Sequence, residues 1–268
     1  MTPDRVNLHR QAFLSAEQEI KMIRHSNSLL RKSLHAAGLA FSLAVAGPSF
    51  AIINYGDFSD IPPGTVTYTD VKESSSTDPV PPPLYGAPSI NGNLLDFDPT
   101  AFGANAAGAG GFDITDGQLN FTMTAESGTS IDTLIVSEGG DYSFSGLVPD
   151  AGTFVVVSVA TTVNILEVNG ITLGVPIEIF QTDTFVSDYL TIGNPPASGL
   201  NLWSLDYSID LASQVNGDVT KIEVVIDNQL SATTTDGNQA FIAKKDFNVN
   251  IPEPTSLALL GLGAAMTL

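Results

Sequence analysis

From residue 118 onward, apolar and polar positions alternate along the chain. In QLNFTMTA (118–125), Leu119, Phe121 and Met123 fall on one face and Asn120, Thr122 and Thr124 on the other. That is the period of two imposed by β pleating. IDTLIVSE (131–138) and DYSFSG (141–146) flank Gly139-Gly140 and read as two strands of a hairpin. GTFVVVSVATTVNILEV (152–168) is rich in β-branched residues, and Asn169-Gly170 turns it into ITLGVPIEIF (171–180). LWSLDYSIDLA (202–212), VTKIEVVIDNQL (219–230) and QAFIAKKDFNVNI (239–251) complete the series. Ahead of it, residues 52–73 give a first strand, a turn at Pro62-Pro63-Gly64 and the alternating TVTYTDVKE (65–73). SSSTDPVPPPLYGAP (74–88) reads as a long surface loop, because prolines cannot hold a ladder. FGANAAGAGGF (102–112) reads as a flexible loop, without the strand–helix frame or the lysine of a phosphate cradle.

One-faced strands must cover each other, so the pattern predicts an all-β, two-sheet sandwich, jelly-roll-like, of roughly eight to eleven strands. No segment after the first fifth carries a helical stripe, apart from a short apolar helix at the extreme C-terminus.

The first fifth has a different composition. Six of the ten Lys and Arg and all three histidines lie in residues 1–51. Arg31-Lys32 precede the apolar run LHAAGLAFSLAVA (34–46), Gly47-Pro48 end it, and Ser49-Phe50-Ala51 supplies small residues before a cleavage site. This is the layout of a secretory signal peptide, cut between Ala51 and Ile52 by signal peptidase. The leader ahead of the run is long, and Met22 offers a shorter, basic start. The chain therefore divides into a signal peptide (1–51), a β-sandwich domain (52–250) and a C-terminal segment (251–268).

After Ala51 four bases stand against 26 acids, a net charge of −22. Such a surface repels phosphate backbones, so nucleic acid is not an expected partner. Removing residues 1–51 also removes every histidine, and the chain has no cysteine. Ser-His-Asp and Cys-His catalysis and the usual zinc ligands go with them, and no catalytic residue is singled out. Paired carboxylates, as in glycoside hydrolysis, remain open by count alone. Asp96-Phe97-Asp98, Asp113-Ile114-Thr115-Asp116-Gly117 and Asp236-Gly237-Asn238 are oxygen-rich turns. No cofactor is expected. A structural calcium ion is the one metal these turns suit, but the twelve-residue calcium-loop pattern is absent and no ligand set stands out.

Sugar binding would need exposed aromatics. Trp203, Leu205 and Tyr207 share one strand face, and Leu205 between the two aromatics places that face in the core. The other tyrosines are Tyr55, Tyr68, Tyr85, Tyr142 and Tyr189.

The last β segment runs directly into Ile251-Pro252-Glu253-Pro254-Thr255-Ser256, followed by LALLGLG (257–263). This resembles the PEP-CTERM sorting signal of Gram-negative bacteria, with Pro252, Glu253 and Pro254 matching the motif. The resemblance implies an exported protein recognised by an exosortase and bound for the cell envelope, outer surface or extracellular matrix. Proteins of this kind are linked to exopolysaccharide and biofilm. The motif is then a processing site in a substrate. Membrane contact would run through the C-terminal segment alone, yet residues 257–268 number 12, against ~20 for a span, and lack the arginine cluster. The segment thus reads as a truncated signal. The closing strand is also similar to the A-x-I-D-D-F-x-V ending of carbohydrate-binding jelly rolls, with Lys244-Lys245 replacing part of the acidic step. The expected role is structural or adhesive and non-enzymatic, the alternative a module binding an exopolysaccharide, and the remotest a glycoside-acting enzyme.

Overall fold

The computed structural model describes residues 52–77, 83–146, 148–192, 200–235 and 237–253. The expected signal peptide with Ala51, Pro254 of the sorting motif and the C-terminal apolar helix lie outside these residues. Every described residue belongs to one compact unit. Among the described residues, no helix is long and apolar enough to cross a membrane.

Two antiparallel sheets face each other. The first contains β1 (Ile53–Ser59), β2 (Val66–Ser74), β6 (Phe112–Ala125), β8 (Phe154–Val168), β9 (Ile171–Asp188) and β11 (Val219–Thr233), in the spatial order β1-β2-β6-β11-β8-β9. The second contains β3 (Ser89–Asn91), β4 (Leu94–Phe97), β5 (Gly103–Ala107), β7 (Thr133–Ser145), β10 (Asn201–Asp210) and β12 (Gln239–Asn250), in the order β10-β7-β12-β4-β3. β5 also pairs with β12. One edge of β12 is thus divided: Phe247–Asn250 pair with β4, and Gln239–Ala243 pair with β5. A short helix, α1 (Tyr189–Ile192), follows β9.

Alternation decides what is inside. Leu119, Phe121 and Met123 of β6 and Ile222, Val224 and Ile226 of β11 point at Leu134 and Val136 of β7 and Phe247 and Val249 of β12, all buried. The sandwich is the one expected, and the Asn169-Gly170 turn joins β8 to β9 with both residues at positive φ, as a two-residue hairpin requires.

Three local expectations fail, each for a packing reason. Gly139-Gly140 is not a turn: both residues sit inside the continuous strand β7. A Cβ on Gly140 would collide with the Ala243 carbonyl and come within 2.9 Å of Trp203 Nε1. The glycines are there so that β7 can lie under the indole. FGANAAGAGGF is only partly a loop, since Gly103–Ala107 form β5 with Ala104 and Ala106 buried. A Cβ on Gly103 would stand 3.0 Å from the Ile242 carbonyl, so small residues let β5 approach β12 closely. Finally, the proline-rich loop returns to the core: Leu84 and Tyr85 are buried. The buried Glu73 carboxylate draws them in, accepting from Leu84 N (2.7 Å), Tyr85 N (3.1 Å) and the Tyr55 hydroxyl (2.6 Å).

Candidate functional site

The residues singled out from the sequence are scattered over the molecule. Ile52 is exposed immediately before β1. At the other end, Ile251 is buried and its carbonyl accepts from Asn93 Nδ2 at 3.1 Å, whereas Pro252 and Glu253 are exposed. Trp203 and Leu205 are core residues, as their shared face predicted. The indole donates to the Ala243 carbonyl at 3.1 Å and stacks on Phe185. Tyr207 is half-buried, its hydroxyl 2.6 Å from Thr161 Oγ1. None of the six tyrosines is exposed. Phe112 and Phe180 are the exposed aromatics among the described residues. Of the segments expected as oxygen-rich turns, residues 113–117 lie within β6 instead, and the carboxylates of Asp113 and Asp116 are spent on backbone and hydroxyl groups. Asp113 accepts from Asn105 N at 2.7 Å and Asp116 from Ser76 Oγ at 2.7 Å. Among the described residues no cluster of three or more metal-ligating side chains occurs.

The outer face of the first sheet is organised chemically. Register sets side chains of successive strands in rows across it. One row runs Lys72, Asn120, Val225, Thr162, Phe180. The next runs Ser74, Gln118, Asp227, Ala160, Thr182, and a third Asp116, Gln229, Ser158, Thr184. On the far side of the first row lie Thr69, Thr122, Glu223, Asn164 and Glu178. Neighbouring strands lie about 4.8 Å apart, so amides and hydroxyls recur along these rows at strand spacing, interspersed with charged and apolar side chains. Some are already linked. Asn120 Nδ2 donates to Gln118 Oε1 at 3.2 Å, and Asn164 Nδ2 to Glu223 Oε2 at 3.1 Å.

At the centre of this face Asp227 and Asp116 are diagonal neighbours on β11 and β6. Burial, and then the charge and hydrogen bond of Asp116, push the Asp227 carboxyl up to about 6. Desolvation and a neighbouring carboxylate both disfavour the charged form of Asp227. The face therefore offers a carboxyl raised above its ordinary range, amides that donate and accept, and an aromatic ring at its edge. Sequence reasoning did not single out Asp116 and Asp227 as a pair. The available signal was parity: both stand at outward positions of strands whose inward positions are apolar.

No family model and no curated protein sequence matches the chain. Among solved structures it is weakly similar to the enzymatically active domain of tailspike protein 4 from bacteriophage CBA120, at 12% identity, TM-score 0.14, over 68% of this chain and 19% of that one. It spans about a fifth of that domain. A carbohydrate binding module of family 29 is similar at 14% identity, TM-score 0.15, over 69% of this chain and 88% of the module. Infectious bursal disease virus, Gx strain, follows at 12% identity, TM-score 0.20, over 65% and 44%. At these scores the matches carry no functional argument, and the chain is assigned by its own geometry, as a β-sandwich with a polar ladder on one face.

Proposed function

We propose that the protein is an exported, non-enzymatic component of the cell surface or extracellular matrix, displayed as a β-sandwich and sorted by an exosortase through Pro252-Glu253-Pro254. One observation carries this reading: the core closes at Ile251, and the next two residues of the motif are exposed with no linker between them. A membrane-embedded enzyme needs an accessible extended segment, and prolines, which cannot continue a ladder, provide one. The test is expression in an exosortase-bearing host, with residues 257–268 extended to span length and followed by arginines. Processing and envelope retention are expected. Normal processing after all three motif residues are changed to alanine would sink the proposal.

A second reading adds a ligand to the same display role. The amide and hydroxyl rows around Asn120, Gln118 and Gln229 match the repeating hydroxyls of an extended polysaccharide. The net negative charge favours a neutral polymer over an anionic one. Retarded migration through a gel containing neutral β-glucan, abolished by Asn120→Ala with Gln118→Ala, is the expected result. Identical mobility with and without the polymer would leave the display role unaccompanied. A glycoside-acting enzyme is the remotest reading, and it would need two carboxyl groups about 5–9.5 Å apart across a cleft.

A further inference from the structure

Lys244 and Glu138 are fully buried, and Lys244 Nζ contacts Glu138 Oε2 directly. They belong to the neighbouring strands β12 and β7, both pointing into the core. Their surroundings are unusual for an ion pair. Three aromatic rings enclose the amine, with centroids at 4.9 Å (Phe102), 4.9 Å (Phe247) and 5.4 Å (Tyr85). Glu138 Oε1 has no hydrogen-bond partner among the described residues. Asn228, also fully buried, stands on β11 of the opposite sheet within hydrogen-bond reach of Tyr85. A network built to hold two charges would fill the place beside Oε1.

The backbone fixes the amine in place. Lys244 lies at a register irregularity of β12. It is also where the paired edge passes from β5 to β4, and its N–H donates to the Phe102 carbonyl at 2.9 Å. Burial lowers the lysine's hold on its proton, although Glu138 opposes the shift.

We infer that Lys244 and Glu138 condense into an intramolecular amide that cross-links β12 to β7. The ammonium passes a proton to the carboxylate, which leaves a neutral amine and a neutral acid. The amine lone pair attacks Cδ of Glu138, and the tetrahedral adduct collapses. One carboxyl oxygen departs with two protons as water, and a single N–H remains on the new C–N bond. No oxidant or co-reactant is needed. Desolvation activates the lysine as a nucleophile, and fixed contact replaces a bimolecular encounter. The product is neutral, so the core no longer carries two desolvated charges.

The experiment is peptide mass mapping with fragmentation of the full chain as exported by its host. The expected result is a branched peptide joining the Glu138 and Lys244 segments, lighter than their sum by one water and absent from the Lys244→Met variant. Unlinked wild-type peptides at their sequence masses would overturn the inference. So would a branched peptide lighter by one ammonia, which would place the bond at Asn228. Because the deciding reading is made on the wild-type protein, poor folding of the variant leaves the test intact.

Discussion

The two sheets each hold a close pair of ionisable side chains and deal with charge in opposite ways. On the outer face of the first sheet, Asp116 and Asp227 have the same sign and reach solvent in part, and Asp227 holds its proton more tightly than a free carboxyl does. Inside the second sheet, Glu138 and Lys244, before they are joined, have opposite signs and no solvent, so each depends on the other. Like charges at a surface make a group that responds to pH. Opposite charges in a core make a structural dependency, because a lone survivor would be stranded. The same acidic side-chain chemistry becomes a display feature or a fold feature according to the face of the strand it stands on.

The sharpest way to break the comparison is to remove one buried partner. Relative to wild-type protein whose pair is not yet joined, Glu138→Ala leaves an unmatched buried cation and should cost about 3–5 kcal/mol of stability, measured by denaturant unfolding. Glu138→Leu with Lys244→Met should recover most of that loss. If the double variant is no more stable than Glu138→Ala alone, the pair is not the source of the effect. Gly140→Ala comes next. The added methyl meets the Ala243 carbonyl and the Trp203 indole, and a cost of about 1–3 kcal/mol is expected, with altered tryptophan fluorescence.

Asp227→Asn should act in the other direction. With its folded carboxyl raised from 3.8 to about 6, the folded state binds a proton more tightly than the unfolded state. The contribution of Asp227 is therefore most favourable below about pH 4 and is lost as pH rises to about 6. After discounting for partial exposure, the variant should be about 1–2 kcal/mol more stable than wild type at pH 7. The gain should vanish near pH 4, and a pH-independent difference would argue against a raised Asp227 carboxyl. The smallest effect is expected from deleting residues 252–268. Pro252 and Glu253 lie outside the core, so the melting temperature should move by no more than about a degree.

Much of this was legible in the chain. Period-two alternation placed the long strands, and the parity of Leu205 with Trp203 put the indole inside. The same parity was available for the buried pair. Glu138 follows Leu134 and Val136 on the apolar face, and Lys244 follows Ala240 and Ile242. That the two meet was not legible, since they are 106 residues apart and only the register of β12 on β7 brings them together. Gly139-Gly140 misled because a turn and a close strand crossing both call for glycine, and the deciding groups, the Ala243 carbonyl and the Trp203 indole, lie on other strands. The β5 segment misled for a related reason. Small residues look like slack in a sequence, yet here they allow one backbone to approach another. Asp116 and Asp227 were indistinguishable from the other surface acids until β6 and β11 were set side by side.

The placement of β12 has a mechanical consequence. A pull applied at Pro252 enters a strand bordered on both sides, by β7 along its length and by β4 and β5 in succession along the other edge. Force directed along such a strand loads its hydrogen bonds together, in shear. At the opposite end of the chain, β1 is an edge strand held by β2 alone through an irregular register. Traction on Ile52 would peel it one bond at a time. The domain is thus a one-ended fastener: it grips the end at Pro252 and yields first at the end at Ile52.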